Sequence, residues 1–148
     1  VTWQTENDGP LWVPFLNSYE SLNAVPHNLL ARMAYQESRF RADIISGATC
    51  SVAGCLGLMQ LNPKYFPNAG KDPIADIACA GQLIQSLFKR FNDDWQVALA
   101  AYNWGGGNVH HQWVADGERY DLADCPAETR AYVRQILSDV PVPGALVP

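Results

Sequence analysis

The stretch "DPIADIACAGQLIQSLFKRF" at residues 72–91 constrains the fold more than any other part of the chain. Ile74, Ile77, Ala78, Gly81, Ile84, Leu87, Phe88 and Phe91 recur at steps of three and one, the spacing of one face of an α-helix. Asp72 is placed to cap this helix and Pro73 takes its first position, where a missing N–H costs nothing. A long helix with so wide an apolar face has to be covered by other elements, and much of the remaining chain has the same period. "PLWVPFLNSYESLN" has helical spacing, with Pro14 predicting a broken or late start. In "VPHNLLARMAYQES" Pro26 suits a first turn, and Leu30, Met33, Ala34 and Glu37 share one stripe. Asp93 or Asp94 is positioned to cap "WQVALAAYN", which stops at the run Gly105-Gly106-Gly107, read as a turn. "CPAETRAYVRQILSDV" starts at Pro126, carries Glu128 in its first turn and is predicted to run to about Ser138. Between Arg39 and Gly57 the periodicity fails, which predicts a loop with a short irregular hairpin.

Five to seven helices with very little sheet are therefore expected, a fold of class α+β that is predominantly α-helical. The 148 residues fit a single domain over 1–148, with a core at 26–138 and arms at 1–9 and 139–148. The net charge of -5, with ten scattered basic residues, weighs against nucleic acid or an anionic membrane as partner. No stretch approaches the roughly 18 apolar residues of a membrane span. The start, "VTWQTENDGP", has neither an initiator Met nor the regions of a signal peptide, so removal of a leader or upstream segment is expected.

Cys50, Cys55, Cys79 and Cys125 allow three connectivities if all pair. The favoured pairing is Cys50–Cys55 closing a loop and Cys79–Cys125 tying distant segments, which implies an oxidising compartment; four free thiols are the alternative. No His or Cys spacing matches a structural zinc site, and His110-His111 has no third ligand at useful spacing, so a solvated loop is expected there and neither metal nor cofactor is called for.

Glu37 is the acid that stands out. A carboxylate on an apolar face near a helix C-terminus is disfavoured as an anion by desolvation and by the helix dipole, so its pKa is predicted to rise. An acid kept protonated near neutral pH is what protonation of a glycosidic oxygen requires. The structural alternative is an ion pair with Arg32, Arg39 or Arg41.

Four segments read together favour the catalytic role. "ESRF" at 37–40, "SVAGCLGLMQLNP" at 51–63, "ALAAYNWGGGN" at 98–108 and "AETRAYV" at 127–133 occur in this order. Together they resemble the lytic transglycosylases of the soluble Slt type, relatives of goose-type lysozyme, over roughly Pro26 to Ser138. The resemblance implies a lysozyme-like fold and cleavage of peptidoglycan between N-acetylmuramic acid and N-acetylglucosamine. It implies Glu37 as the single catalytic acid, which protonates the leaving oxygen and then, as base, deprotonates the muramoyl C6 hydroxyl to leave a 1,6-anhydro sugar. It implies that Ser38 orients the carboxyl or the sugar, that Met59 and Gln60 line the cleft with Tyr102 and Asn103, and that Glu128 and Tyr132 lie beside the catalytic carboxylate. The chain departs from the family pattern in an extended "RADIISGATC" and in Cys55 where Ala is usual.

Each of these residues also has a purely structural reading. Asn103 can cap a helix end, Gln60 can satisfy loop backbone, Tyr102 and Tyr132 can be core with one wet edge, and a helix start alone accounts for Glu128. Trp104 and Trp113 offer faces for sugar stacking, whereas Trp95 suits the core. Most glycosidases pair two carboxylates, and no second acid lies in a matched motif. The neighbouring N-acetyl group can replace it, and a carboxylate such as Asp43 across the cleft would instead favour a hydrolase. The alternatives are thus a lysozyme-type hydrolase or a peptide-crosslink cutter, and an inactive wall-binding or structural module. The expected partner is the peptidoglycan glycan strand, the expected state a monomer, and the expected location extracytoplasmic or virion-associated.

Overall fold

The computed structural model describes residues 2–117 and 119–143. Its contacts group the chain into two compact units, Val1–Gln82 and Leu83–Pro148. Among the described residues the only extended pairing is one antiparallel bridge, Leu56 with Leu61, and the rest of the regular structure is helical.

The first unit holds a 3-10 turn at Trp3–Thr5, α1 (Gly9–Leu22), α2 (Leu29–Ser38), α3 (Ala42–Ile45) and the first half of α4 (Pro73–Arg90). Leu16, Leu29, Leu30, Met33, Phe40, Leu58, Met59 and Ile77 are fully enclosed in its core. The start of α2 is satisfied from outside the helix. Glu20 on α1 is 1 % exposed, and its carboxylate accepts the N–H groups of Asn28 at 2.8 Å and Ala31 at 2.9 Å. Asn17 Nδ2 adds a third bond at 2.8 Å. Helix N-termini leave such donors unpaired, and an acid there also meets the favourable end of the dipole. Burial is the largest influence on Glu20 and raises its pKa, against the lowering effect of the three bonds and of His27.

The second unit holds the rest of α4, then α5 (Trp95–Trp104), α6 (Gly106–Ala115), a 3-10 turn at Leu122–Asp124 and α7 (Ala127–Asp139). Asp94 caps α5, accepting from Gln96 N at 2.9 Å and Val97 N at 3.3 Å. Gly105, at φ +105°, ends α5 and begins α6. The α5 helix packs on both α6 and α7. Trp95 is buried and stacks on Phe88 with ring centroids 3.9 Å apart, the core position expected for it.

Several expectations need correction. Pro14 does not delay α1, which starts at Gly9 and runs through it; the ring is exposed and only one ladder bond is lost. Pro26 lies in the turn before α2, where its carbonyl accepts from Leu29 N at 3.0 Å, and the helix itself starts at Leu29 after the left-handed Asn28. The stretch read as loop contains α3, too short for its period to register. Gly105 makes the turn alone while Gly106 and Gly107 are helical, so His110 and His111 lie exposed on α6 and not in a loop. The N-terminal arm is tied into its unit, with Trp3 against Tyr35 at 6.1 Å and Tyr35 Oη donating to Glu6 at 2.5 Å. At the other arm Val140 and Val142 are buried, and residues 144–148 lie outside those described.

The disulfides are also corrected: Cys50, Cys55, Cys79 and Cys125 are free thiols. Cys50 faces solvent whereas Cys55 is drawn partly inward, and buried Cys125 has its sulfur 2.6 Å from the Tyr120 hydroxyl. Burial raises the pKa of Cys55, Cys79 and Cys125, which keeps them as unreactive thiols at neutral pH.

Candidate active site

Glu37 lies in the last turn of α2 and is half-buried. The helix stops abruptly just after it. Arg39 and Phe40 both adopt left-handed backbone, at φ 54° and 56°, an uncommon state for two successive non-glycine residues. Ser38, fully buried, holds the stop: its hydroxyl donates to Ala34 O at 2.9 Å and accepts from Phe40 N at 3.3 Å. Asn7 Nδ2 donates to Arg39 O at 2.8 Å, and Asp8 N to Phe40 O at 3.1 Å. Ser38 therefore fixes where Glu37 sits and is enclosed away from solvent. Arg41 is paired with Asp43 at 2.9 Å, and Arg39 Nη1 donates to the Tyr35 hydroxyl at 2.6 Å.

The second motif of this unit folds as a tight loop closed by the Leu56–Leu61 bridge. Leu58 and Met59 point inward and are fully buried. Gln60 is half-buried at φ 51°, and both its N–H (3.2 Å) and its side-chain Nε2 (2.9 Å) donate to Gly57 O. The amide thus braces its own loop with its nitrogen, while Oε1 has no protein donor among the described residues. The Glu37 charge also reaches this segment, adding to burial in raising the Cys55 pKa.

Asp76, on the first turn of α4, lies beneath the same loop and is 2 % exposed. Its two carboxylate oxygens accept from Gly70 N at 3.1 and 3.3 Å. Burial, reinforced by the neighbouring Asp72, raises its pKa from 3.8 to about 6. A raised carboxyl pKa means that the folded state binds the proton more tightly, so this contribution to stability is complete below about pH 4 and is lost as pH rises through about 6. Asp76→Asn, which cannot titrate, should therefore gain on the wild type between about pH 4 and about pH 7, by up to about 3 kcal/mol in paired urea unfolding curves.

In the second unit Tyr102 and Asn103 occupy the end of α5, both half-buried. Asn103 Oδ1 accepts from Thr129 Oγ1 at 2.8 Å, and Thr129 is buried on α7. This bond leaves Nδ2 of Asn103 without a protein acceptor among the described residues, so the amide is held by one end and presents the other. Glu128 is exposed in the first turn of α7, and Tyr132 is buried one turn on. Thr129→Val should lower stability by about 1 kcal/mol in urea unfolding, because the Asn103 amide then loses the donor that holds it.

Asp43, weighed as a second acid, is a structural anion. Its Oδ2 accepts from Thr49 Oγ1 at 2.9 Å and from Arg41, and these contacts, the Thr49 bond foremost, hold its pKa below the usual range. No group of three or more His, Cys, Asp or Glu among the described residues is arranged to hold a metal ion. Thr129, Asp76 and Glu20 were not singled out from the sequence. A signal existed for two of them: Thr129 interrupts the stripe it shares with Tyr132, Val133 and Ile136, and Asp76 precedes Ile77 on the buried side of α4. A polar residue at such a place needs a partner.

The arrangement of helices is that of the lysozyme-like fold. It matches the crystal structure of the 70 kDa soluble lytic transglycosylase Slt70 from Escherichia coli with a TM-score of 0.64 and 25% sequence identity, over 88% of this chain and 25% of that one. Residues 15–123 match the family described as "Transglycosylase SLT domain", and the chain belongs to that family. It is 30% identical to the membrane-bound lytic murein transglycosylase D of Escherichia coli K12 over 117 residues, which are 69% of this chain and 25% of that protein. It is 28% identical to the peptidoglycan transglycosylase gp16 of Escherichia phage T7 over 134 residues, 83% of this chain and 10% of gp16. The chain thus spans a quarter or less of the length of these relatives.

Proposed function

We propose that this chain is a peptidoglycan lytic transglycosylase that cuts the β-1,4 bond between N-acetylmuramic acid and N-acetylglucosamine without water, with Glu37 as acid and then base. The observation that carries the reading is the position of Glu37: a half-buried carboxyl set by the clamped end of α2, in a chain of the SLT transglycosylase family. In the first step the Glu37 carboxyl gives its proton to the glycosidic oxygen as the C1–O bond breaks. The substrate's own N-acetyl oxygen stabilises C1, which removes the need for a second protein acid, consistent with the engagement of Asp43 by Thr49 and Arg41. In the second step the C6 hydroxyl of the same muramoyl residue bonds to C1 and its proton returns to Glu37, so the 1,6-anhydro product forms and the acid is regenerated.

In the first unit Gln60 Oε1 is, in this reading, an acceptor for glycan hydroxyl or amide groups, and in the second Asn103 Nδ2 is a donor for such groups, each taken by itself. Tyr102 contributes a half-buried ring beside Asn103 and Glu128 an exposed carboxylate, while Ser38, Met59 and Tyr132 are buried, each within its own unit. No helix among the described residues is long and apolar enough to cross a membrane, and a wall substrate requires the enzyme to act in the periplasm, at the cell wall or from a phage particle. Mass spectrometry of the products from purified sacculi tests the reading. Anhydromuropeptides, lighter by one water than the hydrolysed products, are expected. Reducing-end muropeptides would reassign the chain as a hydrolase, cleaved crosslinks as a peptidase, and intact sacculi as a binding module.

A further inference from the structure

We propose that Asp76 is a positioning residue for the Gln60 loop, acting through Gly70 and Gly57 to hold the Gln60 amide where it meets the glycan. This rests on the reading of Gln60 as a substrate contact. The chain of contacts is short and continuous. The Asp76 carboxylate accepts from Gly70 N through both oxygens. Gly70, at φ +78°, is pressed so closely against the loop that a Cβ on it would lie 2.8 Å from Leu56 Cβ. Gly57, at φ +83°, lies against the carboxylate itself: a Cβ there would overlap Asp76 Oδ2 and stand 2.9 Å from Gly70 Cα. The Gly57 carbonyl then receives both donors of Gln60.

Burying a carboxylate is unfavourable, and Gly70 N is the backbone donor that offsets it. An Asp whose burial raises its pKa well above the ordinary range is not explained by stability alone. It is explained by geometry. The acceptor has to reach Gly70 N within the narrow space beside Gly57, and a short planar side chain fits there. Leu58 and Met59 lie between Gly57 and Gln60 and are fully buried, so a shift of Gly57 has little slack to absorb before it reaches the Gln60 amide.

The test compares the wild type with Asp76→Ala, Asp76→Asn, Gln60→Ala and the Asp76→Ala/Gln60→Ala double variant. Amide hydrogen exchange is followed at residues 56–61, and KM and kcat are measured on purified glycan strands. Asp76→Ala should speed exchange at Gln60 and Leu61 by about tenfold or more, and should raise KM about tenfold with kcat per folded molecule changed less than about threefold. Asp76→Asn, which keeps an acceptor for Gly70 N, should restore both. The double variant should be no worse than Gln60→Ala, because the two changes act on one contact. Should the alanine variant fail to fold, Asp76→Ser shortens the side chain while keeping it polar and is read in the same way. Unchanged exchange over residues 56–61 in Asp76→Ala overturns the proposal, and so does a double variant whose two effects multiply. A wild type that leaves glycan uncut overturns the reading of function instead, while the exchange measurement still decides whether Asp76 holds the loop.

Discussion

Glu37→Gln is expected to remove roughly 10²–10⁴-fold of the lytic turnover while leaving the melting temperature close to that of the wild type. The amide has nearly the shape of the acid but has no proton to give to the leaving oxygen and no basic oxygen to receive one from the C6 hydroxyl. The α2 stop is held by Ser38, Asn7, Asp8 and the buried Phe40 ring, and the isosteric amide leaves those contacts in place, so the helix end should survive the change. The measurement is turbidity loss of purified sacculi alongside a thermal melt of the same preparation. Lysis near the wild-type rate would sink the assignment of Glu37 and, with it, the single-acid mechanism.

Gly57→Ala is the largest expected loss of stability. The residue sits at φ +83°, where an L side chain is strained, and its new methyl would overlap the Asp76 oxygen and stand 2.9 Å from the Gly70 Cα. Neither neighbour has room to retreat, because Asp76 is buried and Gly70 is itself wedged against Leu56. The combined cost should be about 3–5 kcal/mol. Gly54→Ala is the matched control. Gly54 has nearly the same backbone, φ +79°, with nothing within 4 Å of an added methyl, so only the conformational cost of about 1 kcal/mol remains. Urea unfolding of the pair isolates the contact from the backbone strain. Equal losses would mean that the loop does not rest on Asp76.

The helices were legible because their signals are local. The caps at Asp72 and Asp94 and the stripe along α4 are written within a few residues of where they act. The functional readings of Glu37, Gln60 and Asn103 rest on their membership of ordered motifs, since each alone has a structural reading. What stayed hidden depends on residues distant in sequence. Glu20 serves the start of α2, Thr129 serves Asn103 and Asp76 serves Gly70, and nothing in the neighbouring letters names those partners. The cysteine pairing failed for a related reason: spacing along the chain says which thiols have the reach to meet, not which way they face. Ser38 shows the same limit: read from the sequence as orienting either the Glu37 carboxyl or a sugar, it has its hydroxyl engaged between Ala34 and Phe40, neither of which the spacing names.

The exposed stretch from Ala48 to Ala53 makes few commitments to the rest of its unit, yet it leads directly to Cys55, within electrostatic reach of Glu37. Loops of that kind tolerate changes of length far better than the elements that anchor them. The Gly57–Leu61 loop and the α5–α6 corner at Gly105 are closed by contacts that a single inserted residue would break. Variation among descendants of this chain, natural or engineered, should therefore accumulate at 48–53. A library of insertions there should leave the folded scaffold standing, as thermal melts of its members would show.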